Sequence, residues 1–187
     1  MKLNAEQLRR LEEERARGVI RKVKRNPIYF ILEDIYDTYN IGGLFRLADA
    51  LAVEKMYLVG ETETPPNSRI KKASIGTYKI VPWEYCQTTK DAIFNLKSKI
   101  KNQKDNSLQV IAVEQHQNSI PYYQAEYNFP LALIFGNESY GVKEETLKLA
   151  DKIVEIPMYG INKSLNVIVA ASIVSYHIVI KSFSNKK

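Results

Sequence analysis

Three polar stretches of this 187-residue chain carry residue types able to grip and orient a substrate. Asn40-Ile-Gly-Gly-Leu-Phe-Arg46 brings an amide, two glycines and a guanidinium to the start of a helical pattern. Gly-Asn-Glu-Ser-Tyr-Gly (Gly136 to Gly141) follows the apolar run Leu131 to Phe135. Ile-Pro-Met-Tyr-Gly-Ile-Asn-Lys-Ser-Leu-Asn-Val (Ile156 to Val167) closes a second strand-like run, Lys152 to Ile156. Loops at the carboxyl ends of neighbouring parallel strands are where open α/β sheets bind ligands. Two such loops with Gly and side-chain amides predict one composite pocket. Their chemistry is recognition and charge stabilisation: a guanidinium takes a phosphate, and free N–H groups at a helix start suit an anion.

Each residue also has a plainer structural account. Asn40 sits where a helix N-cap belongs, and Arg46 can pair with Asp49 on the helix surface. Glu138 reads equally as a solvated turn carboxylate, and Ser164 as the N-cap of the last helix. Asn166 is harder to place, because an amide inside an apolar run must find a hydrogen-bond partner. Gly141 and Gly160 suit turns.

Other chemistries lack their signatures. There is no Gly-x-Gly-x-x-Gly, no Walker-type Gly-Lys-Ser/Thr and no Gly-x-Ser-x-Gly elbow. His116 and His177 are the only histidines, and neither has metal-site spacing, so no metal is expected. Cys86 is the single cysteine, which rules out an internal disulfide and points to a reducing compartment. The N-terminus opens polar and charged, unlike a signal peptide. Leu165 to Ile180 is short for a membrane span and carries Asn166, Ser172, Ser175 and His177, so it reads as a buried helix. A cytoplasmic protein is expected.

Charge is unevenly spread. Residues 1–25 hold nine Lys/Arg against four Glu and residues 181–187 hold three Lys, so within a total of +6 the body carries −2. Basic ends on a near-neutral body suggest a polyanionic partner, with nucleic acid the obvious one. Residues 4–17 read as a helix with little apolar content, whose Arg9, Arg10, Arg15 and Arg17 can grip phosphates. Arg21, Lys22, Lys24 and Arg25 continue this basic arm into the body, which we take as residues 26–187.

From Pro27 onward, strands alternate with helices: strands at Ile28 to Leu32, Met56 to Val59, near Lys79 to Val81, Leu108 to Val113, Leu131 to Phe135 and Lys152 to Ile156. Helices are predicted over Ile41 to Ala52, Thr88 to Lys101, Glu144 to Ala150 and Ser164 to Phe183. That alternation argues for an α/β fold, a parallel sheet with helices on both faces. The final helix is apolar nearly all round, so one side is expected to face a second subunit in a homodimer.

Taken together, Asn40-x-Gly-x-x-x-Arg46, Ile134-Phe-Gly-Asn-Glu138 and Ile156-Pro-Met-x-Gly-x-x-x-Ser164-Leu-Asn166-Val resemble the three motifs of the SpoU/TrmH RNA 2′-O-methyltransferases, in the right order. The resemblance runs from about Asn26 to Lys181, and Lys72-Ala-Ser-Ile-Gly76 is similar to a further family segment. It implies a SPOUT fold whose C-terminal chain forms a deep trefoil knot, S-adenosylmethionine held in the knotted loops, and an obligate dimer. By the same resemblance, cofactor contacts fall on Val113, Gly136, Asn137, Ile156, Met158 and Leu165. Arg46 would carry the central role, with Asn40, Glu138, Ser164 and Asn166 around it, and the hydroxyl proton leaving to phosphate, water or Glu138. Transfer RNA and ribosomal RNA both stay open, the former favoured. Departures are Gly43, where the family often has Ala or Ser, Leu51-Ala52 in place of a common aromatic-Gly pair, Ser139 after the motif carboxylate, and Ile168 in a place often given to a small residue. A non-catalytic RNA-binding module and a flavodoxin-like nucleotide-binding protein are the competing readings.

Overall fold

The computed structural model describes residues 24–100 and 107–184, so most of the basic arm lies outside it. β1 (Asn26–Glu33) is the centre of the architecture. Its side chains alternate between two cores: Phe30 and Leu32 face one cluster and Ile31 the other. That period of two, apolar on both faces, is the mark of a strand covered on both sides.

β2 (Val53–Val59), β3 (Trp83–Cys86), β4 (Gln109–Val113), β5 (Ile120–Pro121), β6 (Leu131–Phe135) and β7 (Lys152–Glu155) join it in the order β3-β2-β1-β6-β4-β7-β5. Every pairing is parallel. α1 (Thr38–Ala50), α2 (Ser68–Ser74) and α5 (Val167–Ser184) bury apolar residues in the first cluster; α3 (Thr89–Ile100) and α4 (Glu144–Leu147) do so in the second. The expected α/β sheet with helices on both faces is present.

Local differences have local causes. α1 starts earlier than expected because Asp37, not Asn40, caps it, accepting from the Tyr39 N–H at 2.8 Å. α5 starts later, at Val167, because Asn166 accepts from the Ile168 N–H at 2.9 Å. Asn166 is therefore the cap that Ser164 was expected to be. The strand expected near Lys79 to Val81 is a 3-10 turn, Thr77–Lys79, and β3 follows after Pro82. α2 escaped the pattern altogether. Seven residues are too few for a readable period, and Asn67 caps it through the Arg69 and Ile70 N–H groups.

The strands leading to the two motif loops are not neighbours: β4 lies between β6 and β7. Loops after β1, β6, β4 and β7 thus leave the same end of four adjacent strands. No described helix is long and apolar enough to cross a membrane.

Candidate active site

The site begins at the end of β1. Asp34 takes a left-handed backbone (φ 52°) and turns its carbonyl to the Asn137 side chain, whose Nδ2 donates at 2.6 Å. Asn137 Oδ1 accepts from the Ser139 and Tyr140 N–H groups at 2.8 and 3.1 Å. Its amide thus shapes its own loop and ties that loop to the end of β1. Gly136 leaves room for nothing more, since an added Cβ would lie 2.3 Å from Gly141 C and Val142 N.

Glu138 then reaches across to the start of α1. Its Oε1 accepts from Asn40 Nδ2 at 2.8 Å and from the Asp37 N–H at 3.2 Å, and its Oε2 accepts from the Tyr36 N–H at 3.2 Å. Asn40 Oδ1 accepts in turn from Asn166 Nδ2 at 3.0 Å. One line of side chains, Glu138–Asn40–Asn166, therefore joins all three motifs. Burial tends to raise the Glu138 carboxyl, but the Asn40 amide and the backbone N–H groups outweigh it and hold it below its ordinary value.

Arg46 stands apart. It is exposed on α1, shares no hydrogen bond with that line, and has no partner among the described residues. The pair expected with Asp49 is not formed: burial pushes the Asp49 carboxyl up while Arg25 pulls it down. Arg46 follows Gly42, which packs against Ala73 of α2, and Gly43, which packs against Ile168 of α5. It so emerges from α1 between two flanking helices. A Cβ on Gly43 would lie 2.4 Å from Ile168 Cδ1, so two departures from the family pattern compensate one another.

A cleft of about 260 Å³ opens beside the Glu138 loop. Val113, Gly136, Asn137, Ile156, Met158 and Leu165 all line it, as do Glu138 and Ser164. Asn40, Arg46 and Asn166 do not. The Ser164 hydroxyl has no hydrogen-bond partner among the described residues.

Among the lining residues that the sequence reading did not single out are Glu114 and Gln115, directly after β4. Glu114 Oε2 accepts from the Val142 N–H at 2.8 Å, and Gln115 Nε2 donates to the Lys163 carbonyl. Because β4 runs between β6 and β7, this dipeptide ties both motif loops. Their only signal was position, as polar residues directly after an apolar strand.

Of the arm residues, Arg9, Arg10, Arg15, Arg17, Arg21 and Lys22 lie outside the described residues. Lys24 is exposed. Arg25 is turned to the body, its Nη1 and Nη2 donating to the Val53 and Ile80 carbonyls at 2.9 and 2.8 Å. Among the described residues, no group of three His, Cys, Asp or Glu could hold a metal ion.

Known proteins share this fold. The TrmH/SpoU tRNA modifying enzyme of A. aeolicus superposes with a TM-score of 0.75 at 26% identity, over 97% of this chain and 85% of that one. The SpoU methyltransferase AviRb of Streptomyces viridochromogenes, solved with AdoMet, gives 0.78 at 22% identity, a likeness of fold, over 87% of this chain and 63% of its own. In sequence, the tRNA (guanosine(18)-2′-O)-methyltransferase of Thermus thermophilus is 30% identical over 168 residues, 90% of this chain and 79% of the relative. The class is therefore that of the α/β methyltransferases that modify RNA. The profile of the SpoU rRNA Methylase family matches residues 27–176, and the chain belongs to that family.

Proposed function

We propose that this protein transfers a methyl group from S-adenosylmethionine to a ribose 2′-hydroxyl of structured RNA, with transfer RNA favoured over ribosomal RNA. The observation that carries this reading is the hydrogen-bonded line Glu138–Asn40–Asn166 at the edge of the cleft. The names of the T. thermophilus and A. aeolicus relatives support the choice of RNA.

The cleft suits the cofactor. Ile156, Met158 and Leu165 offer apolar walls, Gly136 leaves its backbone bare, and the carboxylates of Glu114 and Glu155 would suit the cofactor's ammonium group. When bound, S-adenosylmethionine supplies a methyl group already activated on a sulfonium. What remains for the chain is orientation of the ribose and management of charge on its 2′-oxygen. Arg46 is assigned to the phosphate beside that ribose and to negative charge developing on the oxygen. A guanidinium carries five donors and no acceptor, so Arg46 is not assigned as the base. Glu138, occupied by three donors and depressed in pKa, positions Asn40 and the start of α1. The hydroxyl proton then leaves to RNA phosphate or to water. Ser164 and Asn166 place the ribose.

The functional unit is a homodimer. Val169, Ile173, Tyr176 and Ile180 recur at the spacing of one helical stripe, on the side of α5 opposite the buried Ala171, Val174 and Ile178. A second copy covers that stripe. The C-terminal chain follows the knotted path of the family, and the buried, unpaired Cys86 fits work in the cytoplasm. Residues 1–24 add sequence-independent phosphate contacts, so removing them should weaken RNA binding and flatten its salt dependence.

Labelled methyl donor with total cellular RNA, wild type beside Arg46→Ala, followed by mapping of the modified ribose, tests the central reading. A labelled 2′-O-methyl in the wild type alone is the expected result. RNA binding without transfer would leave a non-catalytic module in its place.

A further inference from the structure

Three tyrosine rings stand free where the cleft meets α1. Tyr36, Tyr39 and Tyr140 are 54%, 51% and 86% exposed. None of their rings or hydroxyls has a partner among the described residues. Their backbones, by contrast, are pinned. The Tyr36 N–H donates to Glu138, the Tyr39 N–H to Asp37 Oδ1, and the Tyr140 N–H to Asn137 Oδ1. Glu138 also accepts from the Asp37 N–H, and Asn137 precedes it in the chain. All three tyrosines therefore rise from one hydrogen-bonded unit, the same unit that holds Asn40.

A single exposed aromatic residue needs no explanation. Three on one rigid unit beside a catalytic cleft are a different matter. Tyrosine offers a flat apolar face with few rotatable bonds, and pinning its backbone lowers the entropy lost when a flat ligand settles on it. Unpaired nucleobases are such ligands, and they stack on aromatic side chains with little regard to sequence. Tyr39 and Arg46 also lie on one face of α1, seven residues or about 10 Å apart, with Gly42 and Gly43 between them. A ring for a base and an unpartnered guanidinium for a phosphate thus stand two turns apart on the same helix face.

We propose that Tyr36, Tyr39 and Tyr140 form a stacking rim for unpaired bases flanking the target nucleotide, so that the enzyme selects a splayed loop or single strand over a regular helix. This inference rests on the methyltransferase reading above and narrows its substrate class. Bases within a duplex are already stacked and offer no free face to the rim.

The test compares full-length wild type, the three single Tyr→Ala variants, the triple Ala variant and the triple Phe variant. A labelled, unstructured oligoribonucleotide and a blunt RNA duplex of matching sequence are the binding probes. Each Ala should weaken binding of the unpaired strand roughly tenfold, the triple Phe variant should bind like wild type, and duplex affinity should not move. The salt slope of binding should also hold, because a ring neutralises no phosphate. Wild-type affinity in the triple Ala variant overturns the proposal, and so does equal loss with Phe. A matching loss of cofactor affinity in Tyr36→Ala or Tyr39→Ala, or a change of oligomeric state, assigns the rings elsewhere and overturns it too. Absence of methyl transfer by the wild type would defeat the earlier reading alone, since the binding comparison needs no turnover.

Discussion

Asn40 and Asn166, 126 residues apart in the chain, share a 3.0 Å hydrogen bond between their side-chain amides. Each amide also has a second task. Asn40 Nδ2 donates to Glu138, and Asn166 Oδ1 caps α5. The start of α1, the loop after β6 and the start of α5 are thus held in register by polar side chains. A shift in one terminus must be felt at the other two.

That coupling is measurable. Asn40→Ala and Asn166→Ala should each cost about 1–2 kcal/mol, the second partly through its lost cap. In the double variant the losses should fall short of additive by about 0.5 kcal/mol or more in denaturant unfolding. Simple additivity would mean that the amides act independently.

Glu138 gives a pH signature. Its carboxyl is depressed below the ordinary 4.5, because hydrogen bonds from Asn40, Tyr36 and Asp37 outweigh the burial that raises it. A depressed carboxylate binds its proton more weakly folded than unfolded. Its stabilisation is therefore present above pH 4.5 and is lost as pH falls through the lowered value. Glu138→Gln should unfold at lower temperature than wild type near neutral pH, and the two curves should converge as pH falls through the lowered value. Melting temperature across that range checks it. Parallel curves would remove the carboxylate from the account.

Much of this arrangement was readable from residue order, for physical reasons that differ by element. β6 matched its expected bounds because a strand buried on both faces is a continuous apolar run, here ended sharply by Pro130 and Gly136. α2 was invisible, since seven residues hold too little pattern. The start of α1 was misplaced because Asp37 and Asn40 are both capping types. What separates them is Glu138, which draws the Asn40 amide away from its own helix. Composition and spacing alone suggested only a pocket; resemblance across three motifs supplied its residues. Glu114 and Gln115 went unseen because their role depends on β4 running between β6 and β7, a fact of sheet order rather than of sequence.

Gly43 and Ile168 should behave as a matched pair. Gly→Ala within a helix ordinarily gains about 1 kcal/mol, but here the new methyl meets Ile168 Cδ1 at 2.4 Å. Gly43→Ala alone should therefore be neutral or destabilising. Ile168→Val removes the obstructing atom at a cost of about 0.5–1.5 kcal/mol. Adding Gly43→Ala to that variant should recover stability, as read by the denaturation midpoint. Identical effects of Gly43→Ala in both backgrounds would show that Ile168 moves aside freely.

Arg46 is tested by its nearest mimic. Lysine keeps the charge but not the planar fork that holds a phosphate through two parallel bonds. Arg46→Lys should lower the single-turnover methyl-transfer rate by about 100-fold, while cofactor affinity by calorimetry stays at the wild-type level. Because Arg46 is exposed and bonds no described residue, loss of fold is not a competing explanation. Near-normal turnover would move the charge-stabilising role to another group.

The stripe on α5 makes the last prediction. Ile180 is 59% exposed in the isolated chain, on the same side as Val169 and Tyr176. In a monomer, Ile180→Glu would replace an exposed apolar group with a soluble one, and stability would change by about 0.5 kcal/mol or less. In a dimer closed across this stripe, the same change buries an unpaired carboxylate, which is strongly unfavourable. Light scattering coupled to size exclusion should therefore find a wild-type dimer and an Ile180→Glu monomer that remains folded by circular dichroism. If each site depends on both subunits, methyl transfer should fall with the dimer and return as protein concentration drives reassociation. A wild type that is already monomeric, or a variant that stays dimeric, would put the subunit contact on another face and leave this stripe unexplained.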